Sequence, residues 1–164
     1  MEERLKQEMD RCDRYGSKLT VVMVDLDHFK RINDGYGHTV GDKVLIGFAE
    51  ILRSRARTAD LVARYGGEEF VIIMPESDAQ AASTYIRAVV DSLAAIQIET
   101  LEQPPTASFG VAERYPQVTW ERLLDAADDA LYQAKEQGRN RSVVQPLPDP
   151  VVTLKEVGSA EGHA

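Results

Sequence analysis

Two carboxylates stand against a pair of glycines in the run Arg64-Tyr65-Gly66-Gly67-Glu68-Glu69-Phe70-Val71-Ile72-Ile73-Met74. Gly-Gly between strand-like segments marks a hairpin, because only glycine takes positive φ at both turn positions without steric cost. Acidic side chains have low strand propensity, yet Glu68 and Glu69 directly precede Phe70 and a buried-looking apolar run. A turn alone does not call for two negative charges, so the segment points to metal or phosphate chemistry. A second acidic cluster makes the idea testable. Lys18–Val24 reads as a buried strand that runs into Asp25-Leu26-Asp27-His28-Phe29-Lys30. Side chains alternate along a strand, so Asp25 and Asp27 share a face and Leu26 points away. With this strand beside the hairpin, Asp25 and Glu68 converge on one cation. Magnesium suits them: it is hard, takes one or two carboxylates, and fills its other positions with water and substrate phosphates.

The elements that must position these groups follow from periodicity. Residues 2–15 read as a polar helix ended near Gly16, and the first strand spans about 18–26. Asn33-Asp34-Gly35-Tyr36-Gly37 breaks any continuous helix; Val40, Val44, Leu45, Phe48, Ile51 and Leu52 then carry helical spacing to about Arg57. The hairpin covers roughly 61–74 and stops at Pro75. Ala79, Ala82, Ile86, Val89, Val90 and Leu93 mark another helix, Thr106–Glu113 a further strand, and Leu123 to Ala134 a last long helix ending at Gly138. A short strand at Ser142–Gln145 closes the sheet. The order βαββαβ, with an added hairpin and helices packed on one face of a mainly antiparallel sheet, is the ferredoxin-like α+β arrangement. Residues 1–145 form one domain and 146–164 a mobile tail.

Composition narrows the partners. A chain of 164 residues is one domain by length. Its net charge of -8 argues against a large nucleic-acid surface, while a nucleotide neutralised by metal and a few basic groups stays compatible. Cys12 is the only cysteine, so no intrachain disulfide forms. No signal peptide or membrane-spanning run is visible, which makes the cytoplasm the default location.

Three blocks carry a family resemblance. Gly66-Gly67-Glu68-Glu69-Phe70 is one; Asp25-x-Asp27-His28-Phe29-Lys30-x-Ile32-Asn33-Asp34-x-Tyr36-Gly37-His38-x-x-Gly41-Asp42 is the second; Ala130-Leu131-Tyr132-Gln133-Ala134-Lys135-x-x-Gly138-Arg139-Asn140 is the third. In this order and spacing the chain resembles the GGDEF-domain diguanylate cyclases, in the GGEEF variant. The resemblance implies a palm-like core like that of nucleotidyl cyclases and polymerases. It also implies an enzyme that turns two GTP into cyclic di-GMP and two pyrophosphates. Each half-reaction is attack of a ribose 3′-hydroxyl on the α-phosphorus of the other nucleotide, in a homodimer of half-sites. Two Mg²⁺ per site, with Mn²⁺ as an alternative, would favour ionisation of the hydroxyl and clamp the moving charge.

The resemblance further implies Asp25, the Leu26 carbonyl, Glu68 and Glu69 as metal ligands, and Glu68 as proton acceptor, with solvent as the alternative acceptor. Asp27 is either a support behind the metal or an N-cap for a short helical turn over His28–Asn33. Unpaired amides at the start of that turn, His28-Phe29-Lys30, form an anion site for the β- and γ-phosphates. Lys135 and Arg139 add cationic contacts there, against the plainer reading that they complement a helix dipole. Asn33 and Asp42, with His38 nearby, select guanine, because Asp42 accepts from N1–H and the 2-amino group, donors that adenine lacks. Arg57-Thr58-Ala59-Asp60 matches the family's inhibitory product site, which implies Arg57 on phosphate or the guanine Hoogsteen edge and Asp60 on the guanine Watson–Crick edge; by itself it reads as a helix-end ion pair worth under about 1 kcal/mol.

The chain departs from the family in one place. The Asp-x-Leu-Thr-Gly-Leu-x-Asn-Arg-Arg stretch that commonly precedes the first helix is absent, so the chain is either an excised fragment or a shortened natural protein. A sensory or regulatory domain on the N-terminal side is expected to be missing from it. The competing reading is a weak or inactive module that holds GTP or cyclic di-GMP and regulates a partner.

Overall fold

The computed structural model describes residues 1–146; the expected tail falls almost wholly outside them. The elements run α1 (Glu2–Tyr15), β1 (Leu19–Leu26), α2 (Phe29–Tyr36), α3 (His38–Arg55), β2 (Leu61–Gly66), β3 (Glu69–Pro75), α4 (Ala79–Ala94), β4 (Ala107–Glu113), α5 (Trp120–Glu136) and β5 (Ser142–Val144). The sheet order is β2-β3-β1-β4-β5, antiparallel throughout except for the parallel β4–β5 pair. From β1 to β4 this is the ferredoxin-like motif. The hairpin counted as an addition is the motif's own middle ββ unit; α1 and α5–β5 are the additions.

Those additions overturn the expectation of helices on one face. Val22, Val24 and Leu26 point into a core with Phe70, Ile72 and the helices α3 and α4. Leu19, Val21 and Met23 point the other way, into a second core with Val71, Ile73 and the helices α1 and α5. Every residue of β1 is buried. The run Leu19–Val24, apolar but for Thr20, carries the signal, since a half-solvated strand would alternate and this one does not. Gly110 lets α5 lie directly on β4: a Cβ there would collide with the Ala127 carbonyl and the Leu131 amide.

Two local expectations also change. α2 continues through Asn33, Asp34 and Gly35 to Tyr36, and the break falls at Gly37 alone (φ 85°), whose amide closes on the Asn33 carbonyl at 2.9 Å. In the hairpin, Gly66 and Gly67 are absent from the positive-φ residues, so the left-handed turn expected there does not form. Gly66 pairs with Glu69 after a register shift at Arg64/Gly66, which leaves Gly67 and Glu68 as the turn. The Arg64 side chain holds that turn, donating from Nε and Nη2 to the Gly67 carbonyl at 2.9 and 2.7 Å.

Candidate active site

The site gathers where β1 ends. Asp25 is cross-strand partner to Glu69 on β3 and to Ser108 on β4, so the three side chains share the α5 face. The Leu26 amide reaches the Glu68 carbonyl at 3.4 Å, which ties the turn to the end of β1. The Leu26 side chain is buried in the opposite core, so only its main chain is available here.

Burial pushes the Asp25 carboxyl above its usual range; Lys135 opposes that shift, and the charges of Glu68 and Glu69 add to it. Lys135 Nζ stands 3.0 Å from Asp25 Oδ2. Among the described residues no three His, Cys, Asp or Glu side chains close into a ready cation cage. A crowded set of carboxylate oxygens with one cationic partner still fits a hard divalent ion, because magnesium takes few protein ligands and relies on water and phosphate for the rest.

Asp27 behaves differently from Asp25. Its Oδ1 accepts from Ser108 Oγ at 2.6 Å, and its Oδ2 accepts from Thr106 Oγ1 at 2.6 Å and from the Asn140 amide at 2.9 Å. It does not cap α2: His28 holds the N-cap position, in a left-handed conformation (φ 55°), without a side-chain cap. At that helix start the Arg31 and Ile32 amides bind the His28 carbonyl. Those of His28, Phe29 and Lys30, at the head of the helix, have no hydrogen-bond acceptor among the described residues.

Asn33 sits against Gly41, where a Cβ would overlap its amide oxygen and touch the Phe29 ring. Gly41 thus makes a close approach that brings Asn33 to the residue before exposed Asp42, and exposed His38 opens the same helix. Lys135 lies in the last turn of α5. Arg139 follows in a left-handed pair with Asn140 (φ 64° and 46°), its Nη1 at 3.5 Å from the Lys135 carbonyl.

Arg57 and Asp60 lie elsewhere, at the far end of β3. The Asp60 side chain is only 1 % exposed and accepts from the Arg57 amide (2.8 Å) and guanidinium (3.1 Å). Arg57 also donates to the Pro75 carbonyl at 3.2 Å and to Ser77 Oγ. The reading of this pair as a weak surface contact therefore changes: Asp60 is interior, and the cluster joins the α3–β2 and β3–α4 connections.

The sequence reading gave no role to Thr106, Ser108 or Arg64. The first two were visible as hydroxyls two apart in an otherwise apolar strand; nothing local marked Arg64 as the clamp on Gly67.

Comparison with known proteins now decides the family. The model described as diguanylate cyclase, GGDEF domain, matches residues 1–141. The chain belongs to the GGDEF-domain family. It is 41% identical over 143 residues to diguanylate cyclase DgcP of Pseudomonas aeruginosa, covering 86% of this chain and 21% of that protein. With probable diguanylate cyclase DgcC of Escherichia coli it shares 38% identity over 145 residues, 87% of this chain and 39% of the relative. The chain thus spans well under half the length of these curated relatives. Its fold matches the GGDEF domain of DgcB from Caulobacter crescentus, crystallised with c-di-GMP, at TM-score 0.83 and 32% identity, covering 88% and 87% of the two chains. No helix among the described residues is long and apolar enough to cross a membrane.

Proposed function

We propose that this GGDEF domain is a diguanylate cyclase that joins two GTP into cyclic di-GMP and two pyrophosphates in a dimer of half-sites. The observation that carries the reading is Asp25 beside Glu69 and the Glu68 turn, with its carboxyl pushed up by burial and by those two neighbouring charges. A polar cluster that served the fold alone would be matched by protein donors. This one has a single ammonium. Asp25, the Leu26 carbonyl, Glu68 and Glu69 would hold Mg²⁺ or Mn²⁺, two ions per site, which supply charge neutralisation and acidify the attacking hydroxyl when bound.

The chain's own groups do the rest. The His28, Phe29 and Lys30 amides donate to the terminal phosphates, and Lys135 and Arg139 add positive charge from the end of α5. Glu68, on the turn, takes the 3′-hydroxyl proton. Gly67 leaves room for ligand: a Cβ there would meet nothing within 4 Å and its φ is ordinary, so the fold itself has no need of glycine. Asn33 and Asp42, with His38 alongside, read guanine.

The Arg57 cluster serves product inhibition in this reading. Arg57, 53 % exposed, faces the ligand, while buried Asp60 aims it. GTP, product and a second copy of the domain are its partners, in the cytoplasm, under a regulatory segment that the longer relatives make room for.

The test is product formation from GTP and Mg²⁺ by wild type and Glu68→Gln, followed across enzyme concentration. Turnover that rises faster than linearly at low enzyme, and is lost in the variant, is expected. No product from wild type, with GTP still bound, would turn the assignment toward the binding-module reading.

A further inference from the structure

The second aspartate of Asp25-x-Asp27 is left without a part in the chemistry above, although it is more deeply buried than the first. Its surroundings are unusual for a carboxylate behind a metal site. Among the described residues its partners come from two directions: Thr106 just before β4 with Ser108 within it, and the Asn140 amide beyond α5. The Asp27 amide completes the join to β4, donating to the Thr106 carbonyl at 2.8 Å.

The third partner is the informative one. Gly138, Arg139 and Asn140 are three consecutive residues with positive φ (112°, 64° and 46°), a conformation that side-chain-bearing residues adopt only when their surroundings hold them. The Arg139 amide is held by the Ala134 carbonyl at 3.0 Å, and the Asn140 amide by Asp27. Among the described residues nothing else holds this turn from the β1 side. The turn sets where Arg139 projects, four residues beyond Lys135.

We infer that Asp27 is a positioning residue: by accepting the Asn140 amide it locks the left-handed Arg139–Asn140 turn, and so aims Arg139 at the phosphate end of the site. The inference rests on the nucleotide reading above. It assigns Asp27 no contact with metal or substrate. Hydrogen bonds define the geometry here, and the charge is incidental to it. An asparagine can keep all three, with its amide oxygen taking the Asn140 N–H and the Thr106 hydroxyl and its NH₂ donating to Ser108 Oγ.

A binding cycle with 3′-deoxy-GTP and Mg²⁺, which binds without cyclising, tests it by calorimetry. In wild type, Arg139→Ala should weaken binding about tenfold, the scale of one charge-assisted contact. In an Asp27→Ala background the same change should cost less than about twofold, because the misaimed arginine has already lost its contact. Asp27→Asn should recover most of the binding lost in Asp27→Ala and keep the Arg139 dependence. Equal Arg139 effects in both backgrounds, with wild-type binding intact, overturn the inference and leave the nucleotide site standing. If Asp27→Ala does not fold, Asp27→Asn decides alone: a loss as large as that of Asp25→Asn would mean the charge serves the ion, and the inference fails. Wild type that does not bind 3′-deoxy-GTP overturns both.

Discussion

β3, seven residues long, carries a polar cluster at each end, roughly 20 Å apart along the strand. At its start, Glu69 faces Asp25 beside the Glu68 turn, and acceptors outnumber donors: among the described residues Lys135 alone donates to the Asp25 carboxylate. At its finish, around Pro75, Arg57, Asp60 and Ser77 satisfy one another almost completely. Both are acid-and-base clusters, and residue type alone weighs them alike. Their hydrogen-bond accounts separate them. The matched cluster holds connections together and leaves only the exposed face of Arg57 for a ligand, whereas the unmatched one keeps a place for a positive charge.

The largest effect should come from the unmatched end. Glu68→Gln is expected to lower cyclic di-GMP formation by about 10³-fold or more, the scale of a lost general base and metal contact together, with an unchanged thermal melt. Turnover within tenfold of wild type would remove Glu68 from the chemistry. At the matched end the same kind of change should strike the fold. Asp60→Ala removes an acceptor from half-exposed Arg57 and from its amide, which costs about 1–3 kcal/mol and lowers Tm by roughly 2–12 °C. A melt within a degree of wild type would erase the contrast.

Asp25 supplies a subtler test, because its sign is opposite. Its carboxyl titrates above the unfolded value, so the folded state binds that proton more tightly, and ionising it costs stability. The cost is absent below the unfolded value near 3.8, appears as pH rises through the raised folded value, and is full above it. Asp25→Asn should therefore melt higher than wild type at neutral pH, by an amount that shrinks toward zero on acidification, while losing activity. A lower melt at neutral pH would show that the Lys135 pair dominates instead. The smallest effect concerns the turn: Arg64→Lys keeps the charge but not the two-pronged grip on Gly67, and should reduce turnover severalfold with little change in GTP affinity.

The motif blocks made the contents of the site legible before any coordinates, because Asp25, Glu68 and Lys135 sit in runs whose strand and helix character is plain. Other features depended on tertiary context. Whether the helices cover one face or two was decided by α1 and α5, whose apolar stripes do not say which side of β1 they choose. Gly66-Gly67 suggested a left-handed turn, yet the register shift at Arg64/Gly66 and the Arg64 clamp let both residues keep ordinary φ. Gly41 is clearance for Asn33, a close approach that only the folded chain reveals. Asp27 stood open between two roles, since its partners Thr106, Ser108 and Asn140 lie about 80 to 113 residues away along the chain.

The central claim is that Asp25 and Glu68 meet around one divalent ion beneath the triphosphate. Titrating Mn²⁺ into protein with 3′-deoxy-GTP, followed by electron paramagnetic resonance, addresses it directly. Wild type should bind the ion in a nucleotide-dependent manner, with affinity at least tenfold weaker in Asp25→Asn and in Glu68→Gln. Binding that is indifferent to both substitutions would contradict the account.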